Sequence, residues 1–224
     1  MKNERNTEGS ALPEPAFVVP PARLVPGQVH VWRFSPAGSD ALPDAERKRA
    51  GEFQSDLARA AFAAGRAGIR RAAAIYTGLS SRDLVISQSP SGKPFFEGVD
   101  LHFNLSHSGG VIAAAFSGDP VGLDIEPPGR QRDFHGIARR FFHPDEAEGI
   151  SCERDFLDLW TAKEAVLKLA GCGLAGGLER VRADASGAGW LDGRRAWLER
   201  FRIGECVCAA ASFQEFKVKG WFEI

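Results

Sequence analysis

Read from end to end, the chain passes twice through one succession: a strand, then helix, then several short strands. That order confines it to folds that mix helices with sheets. In the first pass Gln28 to Phe34 alternates and is rich in Val and aromatic residues, as a strand is. Pro36 to Pro43 is turn chemistry, and Asp44 precedes an Ala- and Arg-rich helical segment running to about Tyr76, broken near Gln54 and closed by Gly78. Leu84 to Ser87, His102 to Leu105 and Val111 to Phe116 read as strands. The second pass opens with a strand from Val121 to Glu126, stopped by Pro127 and Pro128. Helices follow over Asp133 to Phe142, from Pro144, and over Asp155 to Ala170; Leu178 to Ala183, Arg195 to Arg202 and Cys206 to Phe213 then read as strands. No residue-level repeat accompanies the pattern, so a duplicated α/β unit rests on topology alone, with its seam near Ser117 to Pro120.

Composition narrows the class. The 224 residues carry 28 Lys plus Arg against 29 Asp plus Glu, a net charge of −1, which argues against wholesale electrostatic binding of nucleic acid. Four cysteines are too few for a disulfide framework, and a reducing compartment is expected. The longest clearly apolar run, Val111 to Phe116, is far short of the ~20 residues of a membrane span. The opening MKNERNTEGS has no apolar core of a secretory signal, so a cytoplasmic protein is expected. Residues 1–27 are proline-containing and poor in large apolar side chains, and read as a loosely packed lead-in.

Asp124 and Glu126 are two apart in a strand and so share a face, roughly 7 Å apart, within reach of one hard cation. The same pattern also suits a half-exposed strand whose polar face meets water. In the helix from Asp155 to Ala170, Phe156, Leu159, Trp160 and Leu167 form an apolar stripe that Lys163 interrupts. Glu164 and Lys168, four apart, lie on one face, either as a surface ion pair or as a third carboxylate beside a phosphate-binding Lys. Gly92-Lys93-Pro94 and Gly171-Cys172-Gly173-Leu174 are explicable as turn and helix-cap chemistry, although Lys93 is also placed to face an anion. Asn104-Leu-Ser106-His107-Ser108 runs into a Gly-Gly turn; neighbours on a strand point to opposite faces, so Ser106 and His107 do not form a nucleophile–base pair. Turn chemistry, with Ser and Asn bonding nearby backbone, is the simpler reading, and an anion contact for His107 the more plausible functional one. Arg47, Lys48, Arg49, Arg66, Arg70 and Arg71 read as mostly solvated, with one or two available to a phosphate. Cys206 and Cys208 alternate in an apolar strand as small core residues; Cys152 and Cys172 have no second ligand nearby for zinc.

Taken in order, Gly92-Lys-Pro, Phe103-Asn-Leu-Ser-His-Ser, Val121-Gly-Leu-Asp-Ile-Glu and Trp160-Thr-Ala-Lys-Glu-Ala-Val-Leu-Lys, with Gly171-Cys-Gly-Leu, resemble the Sfp-type 4′-phosphopantetheinyl transferases over about residues 28 to 213. The resemblance implies an α+β fold of two similar lobes in a pseudo-dimeric arrangement, each a small mainly antiparallel sheet packed on helices, with the active site in the cleft between them. The lobes would be 28–118, for the adenosine end of coenzyme A, and 119–224, for the metal and pyrophosphate. It implies a monomeric, Mg²⁺-dependent transfer of the phosphopantetheine arm of coenzyme A to a serine of an apo acyl or peptidyl carrier protein, with no part for nucleic acid or membrane. Fatty acid, polyketide and nonribosomal peptide biosynthesis all use such carriers. By that resemblance Asp124, Glu126 and Glu164 are Mg²⁺ ligands, Lys168 binds the pyrophosphate, and Glu164 or a water beside it is the base. Lys93, Pro94, Ser106 and His107 would line the adenosine bisphosphate end, Arg49 the neighbourhood of the 3′-phosphate, and Glu146 matches a further acidic position. Phe62 stands where some relatives place a small polar residue near that phosphate. Two other readings use the same residues: a metal-dependent phosphoester-cleaving enzyme, and a non-catalytic coenzyme A-binding module.

Overall fold

Both faces of the apolar run Val111 to Phe116 are covered, and that settles the layering. In the computed structural model, which describes residues 23–35, 42–173, 177–184 and 186–224, this run is strand β5 (Val111–Ser117). Ile112, Ala114 and Phe116 pack against helix α2 (Asp56–Thr77), while Ala113 and Ala115 face a second sheet. β5 lies between β1 (Gln28–Arg33) and β4 (His102–Ser108), antiparallel to both. β11 (Lys217–Glu223) adds to the outer edge of β1 in parallel, so the sheet runs β11-β1-β5-β4. The C-terminal strand therefore crosses the expected boundary at 118/119 and completes the first sheet.

The second sheet runs β6-β10-β9-β8-β7, from β6 (Val121–Glu126) through β10 (Cys206–Ser212), β9 (Arg194–Ile203) and β8 (Ala188–Leu191) to β7 (Val181–Ala183). β10 repeats the logic of β5: Val207, Ala209 and Ala211 meet helix α5 (Glu153–Ala170), whereas Cys206, Cys208 and Ala210 are buried between the sheets. Helix, sheet, sheet and helix thus stack in order, an α+β fold with sheets packed on helices. α1 (Asp44–Gly51), α3 (Phe134–Phe141), α4 (Pro144–Glu148) and the hairpin β2 (Ile86–Gln88) with β3 (Pro94–Phe96) lie around this stack.

Local chemistry sets the helix limits. Ser55 accepts the Ala58 N–H at the start of α2, and Gly78 closes it in the left-handed conformation at φ 70°. Asp155 accepts the Ser151 and Cys152 N–H groups at the start of α5, and Gly171 ends it at φ 75°. The expected break near Gln54 is present between α1 and α2. Several expectations need correction. Leu178–Arg180 is a 3-10 turn rather than strand, and β3, β8 and β11 are strands that local pattern did not reveal. Lys163 does not interrupt the buried face of α5 but lies within it, completely enclosed. Its ammonium donates to the carbonyls of Leu178 and Val181 and pairs with Glu146 at 2.8 Å, so a buried charge is satisfied on every side. Arg66 and Arg70, expected in solvent, turn inward to Glu46 of α1, Arg70 at 2.5 Å, and Arg70 also donates to the carbonyl of Leu84 at 3.2 Å. Leu174, the turn at 36–41 and the lead-in up to residue 22 lie outside the described residues.

Gly122 marks the closest approach of β6 to α5. A Cβ there would stand 2.0 Å from the Ala165 carbonyl oxygen and 2.5 Å from the Leu169 nitrogen, both backbone atoms. Gly122→Ala is expected to cost about 2 kcal/mol or more in urea unfolding, since relief requires α5 to shift; an unchanged midpoint would contradict this packing.

Candidate active site

β6 and β4 are the facing edges of the two sheets, and they meet through side chains instead of a backbone ladder. The Asn104 side-chain oxygen accepts the Leu123 N–H at 2.8 Å, Ser106 donates to Asp124 Oδ1 at 3.1 Å, and Ser108 donates to Glu126 Oε2 at 3.3 Å. Period two on each strand brings these pairs into line. Asn104, Ser106 and Ser108 thus act across the seam, and the turn-chemistry reading of that segment is corrected.

Above the seam lies α5. Lys168 Nζ reaches down to Asp124 Oδ1 at 2.5 Å and Ser106 Oγ at 2.9 Å, so its ion partner is Asp124 and not Glu164, as helical spacing alone suggested. Glu164, one turn earlier, faces the same space. Asp124, Glu126, Glu164 and Lys168, with Ser106, His107 and Trp160, line one cavity of about 350 Å³.

The electrostatics of this cavity are dominated by burial. Asp124 is held above the ordinary carboxylate range by desolvation, against the opposing pull of Lys168. Glu164 is pushed up to about 7, first by burial and then by the Asp124 charge. Asp124 Oδ2 and Glu164 Oε1 are buried and accept no hydrogen bond. Glu126 is only 15% exposed, and its Oε2 meets Arg132 at 3.0 Å and Arg130 at 3.6 Å. Among the described residues no group of His, Cys, Asp or Glu is assembled closely enough to hold a metal in this geometry. Three carboxylates nevertheless line the cavity, two of their oxygens buried without a partner, which is the chemistry a hard cation takes.

The other expected site residues are distributed around this centre. His107 stands at the rim, where burial and then the Lys168 charge lower its pKa. It and Glu126 also line an adjoining cavity of about 520 Å³ between the start of α2 and the β4–β5 turn. Lys93 and Pro94 border another cavity, of about 310 Å³, beside Phe95, His102 and Gly171. The Lys93 ammonium donates to the carbonyls of Val121 and Leu169, each at 3.0 Å, and burial lowers its pKa to about 8. Arg49 lies on α1, 63% exposed and paired with Glu52 at 3.5 Å, apart from these cavities. Phe62 packs on Phe53 and beneath Arg66. Glu146 serves as the counter-ion of Lys163. Sequence reasoning missed Arg130 and Arg132, and it placed Trp160 on the buried face of α5 without foreseeing that it also lines the cavity. A shared period of two with Ser106 was the one signal for Ser108; nothing local announced that a loop arginine would fold back on Glu126.

Comparison with known proteins gives a consistent result. The family model described as 4′-phosphopantetheinyl transferase superfamily matches residues 120–210. A 4′-phosphopantetheinyl transferase of Bacillus subtilis is 38% identical over 116 residues, 48% of this chain and 50% of the relative. HetI, a 4′-phosphopantetheinyl transferase of Nostoc sp., is 31% identical over 183 residues, 73% of this chain and 76% of the relative. A phosphopantetheinyl transferase of Thraustochytrium sp. is 31% identical, covering 83% of this chain and 79% of the relative. The chain spans about half the length of the Bacillus relatives that it matches.

The raised Glu164 pKa has a stability consequence. Unfolded, the group titrates near 4.5; folded, near 7. Below the first value both states hold the proton, above the second neither does, and between them the folded state holds more. Its contribution to stability is therefore lost as pH rises through that window. In metal-free buffer the Glu164→Gln variant is expected to gain on the parent chain between pH 5 and pH 8. Urea midpoints at both pH values check this, and a pH-independent difference would refute it.

Proposed function

The chain belongs to the 4′-phosphopantetheinyl transferase superfamily, and from that premise we propose that it transfers the phosphopantetheine arm of coenzyme A to a serine of an apo acyl or peptidyl carrier protein. The other product is adenosine 3′,5′-bisphosphate. One observation carries the reading: Asp124, Glu126, Glu164 and Lys168 line a single cavity in which Asp124 Oδ2 and Glu164 Oε1 are buried without a donor.

In the proposed reaction the serine oxygen forms a bond to the β-phosphorus of coenzyme A, the anhydride P–O bond breaks, and the serine proton passes to Glu164. In the metal-free chain burial holds Glu164 at a pKa of about 7; a bound cation would lower it, so the carboxylate would enter the reaction ionised and able to accept the proton. Lys168 Nζ already bridges Asp124 and Ser106, and from there its charge can turn to a departing phosphate. Asp124, Glu126 and Glu164 would hold a Mg²⁺ ion, which supplies charge neutralisation to the pyrophosphate oxygens. We read His107, which lines two adjoining cavities, as a residue of the nucleotide end, with Lys93, Pro94 and Arg49 as further candidates.

We read the two sheets and their helices as two similar lobes, 28–118 and 119–224, with β11 exchanged into the first. The facing edge strands β4 and β6 support that reading. The proposed enzyme is a cytoplasmic monomer, and the carrier it accepts decides whether it serves fatty acid, polyketide or nonribosomal peptide synthesis.

Intact-mass spectrometry tests the proposal. An apo carrier protein incubated with coenzyme A, Mg²⁺ and this protein is expected to gain the mass of one phosphopantetheine arm, and to gain none in excess EDTA. Asp124→Ala and Glu164→Ala are each expected to slow the transfer by at least about 100-fold. No gain across fatty-acid, polyketide and peptide carriers would overturn the reading.

A further inference from the structure

Glu126 differs from its neighbours in the cavity in how it is held. Asp124 is met by an ammonium that can also serve a phosphate. Glu126 is instead gripped by Ser108 of β4 and by two arginines of the loop that follows it. Ser108 Oγ, Arg132 Nη2 and Arg130 Nη1 approach at 3.3, 3.0 and 3.6 Å, and all meet the same oxygen, Oε2. Arg132 is itself constrained: its side chain is only 15% exposed, and its guanidinium carbon stands 5.9 Å from the ring centre of Phe156, which is fully buried in the first turns of α5.

The loop has the means to return. Pro127 and Pro128 end the strand, Gly129 takes φ 78°, and the Gly129 N–H is accepted by the Glu153 carboxylate at 3.0 and 3.1 Å. Glu153 opens α5, so the loop, the helix and the carboxylate form a closed circuit. Arg130, 48% exposed and at the longer distance, lies outside it.

Resting on the function proposed above, we infer that Arg132 is a positioning residue for Glu126. Clamped on Phe156 and bonded to Oε2, it fixes the carboxylate so that Oε1 is the oxygen presented to a divalent cation. A guanidinium beside a metal ligand has two opposed effects: its charge repels the cation, while its hydrogen bond removes the freedom of the ligand. Outer contacts of this kind commonly govern metal affinity by about 10–100-fold, and because Arg132 bonds the ligand carboxylate itself, orientation is taken as the larger effect.

The test is a Mn²⁺ titration of the full chain, with free Mn²⁺ read by electron paramagnetic resonance, so that it does not depend on turnover. Arg132→Met keeps an apolar stem on Phe156 and removes the donor; it is expected to weaken Mn²⁺ binding about 10-fold or more, with Arg130→Met within about 2-fold of the parent. Arg132→Lys, which retains the charge without the planar donor, is expected to fall between the parent and Arg132→Met. Unchanged or tighter binding in Arg132→Met overturns the inference, as does an equal loss in Arg130→Met, which would reduce the effect to bulk charge. Urea midpoints identify a variant that has lost its fold, and a Lys variant that is folded with parental affinity also refutes the positioning role. If the parent chain binds Mn²⁺ and modifies a carrier while Arg132→Met binds equally well, the inference alone fails; if the parent does neither, the proposed function fails with it.

Discussion

A carboxylate as enclosed as Asp124 keeps its charge only if an opposite charge reaches it, and here that charge comes from another layer. Asp124 belongs to β6, Lys168 to α5 and Ser106 to β4, and the three side chains share one cluster. Removing one member of such a cluster leaves the others buried and unpaired, which costs far more than the net value of the pair. The groups that would bind a substrate phosphate are therefore the ones that hold the two sheets and the helix in register without it. Assembly of the site and assembly of the fold are one problem.

α5 is secured on both sides of this cluster. Lys163, the residue before Glu164, is locked into Glu146 and the carbonyls of Leu178 and Val181, and Lys93 ties the last turn of the helix to the start of β6. Between these anchors Gly122 lets the β6 backbone come against that of Ala165 and Leu169. A helix so fixed presents Glu164 and Lys168 without further ordering. Preorganisation of this kind lets a site stabilise developing charge without first reorienting its dipoles.

Where local chemistry decides, the sequence was readable. Gly78 and Gly171 end helices because they alone accept the left-handed conformation cheaply, and Pro127 and Pro128 stop β6 because they offer no donor. The alternation of Asp124 and Glu126, and the helical spacing of Glu164 and Lys168, placed the acidic and basic groups on the correct faces. Reading failed where a partner lay far away in the chain. Lys163 and Arg70 read as solvated or disruptive because their acids, Glu146 and Glu46, belong to other helices. β11 read as nothing, since what makes it a strand is the open edge of β1.

The sequence by itself determined which residues carry charge, which faces they occupy, where elements stop, and a motif order specific enough to indicate the family. Those properties follow from periodicities of two and 3.6 and from backbone chemistry, which act over a few residues. Only the tertiary structure decided that Lys168 pairs with Asp124, that Asn104, Ser106 and Ser108 bridge two sheet edges, and that Arg132 folds back on Glu126. Pairing of charges depends on which distant elements exclude water together, and that exclusion exists only once the layers have closed.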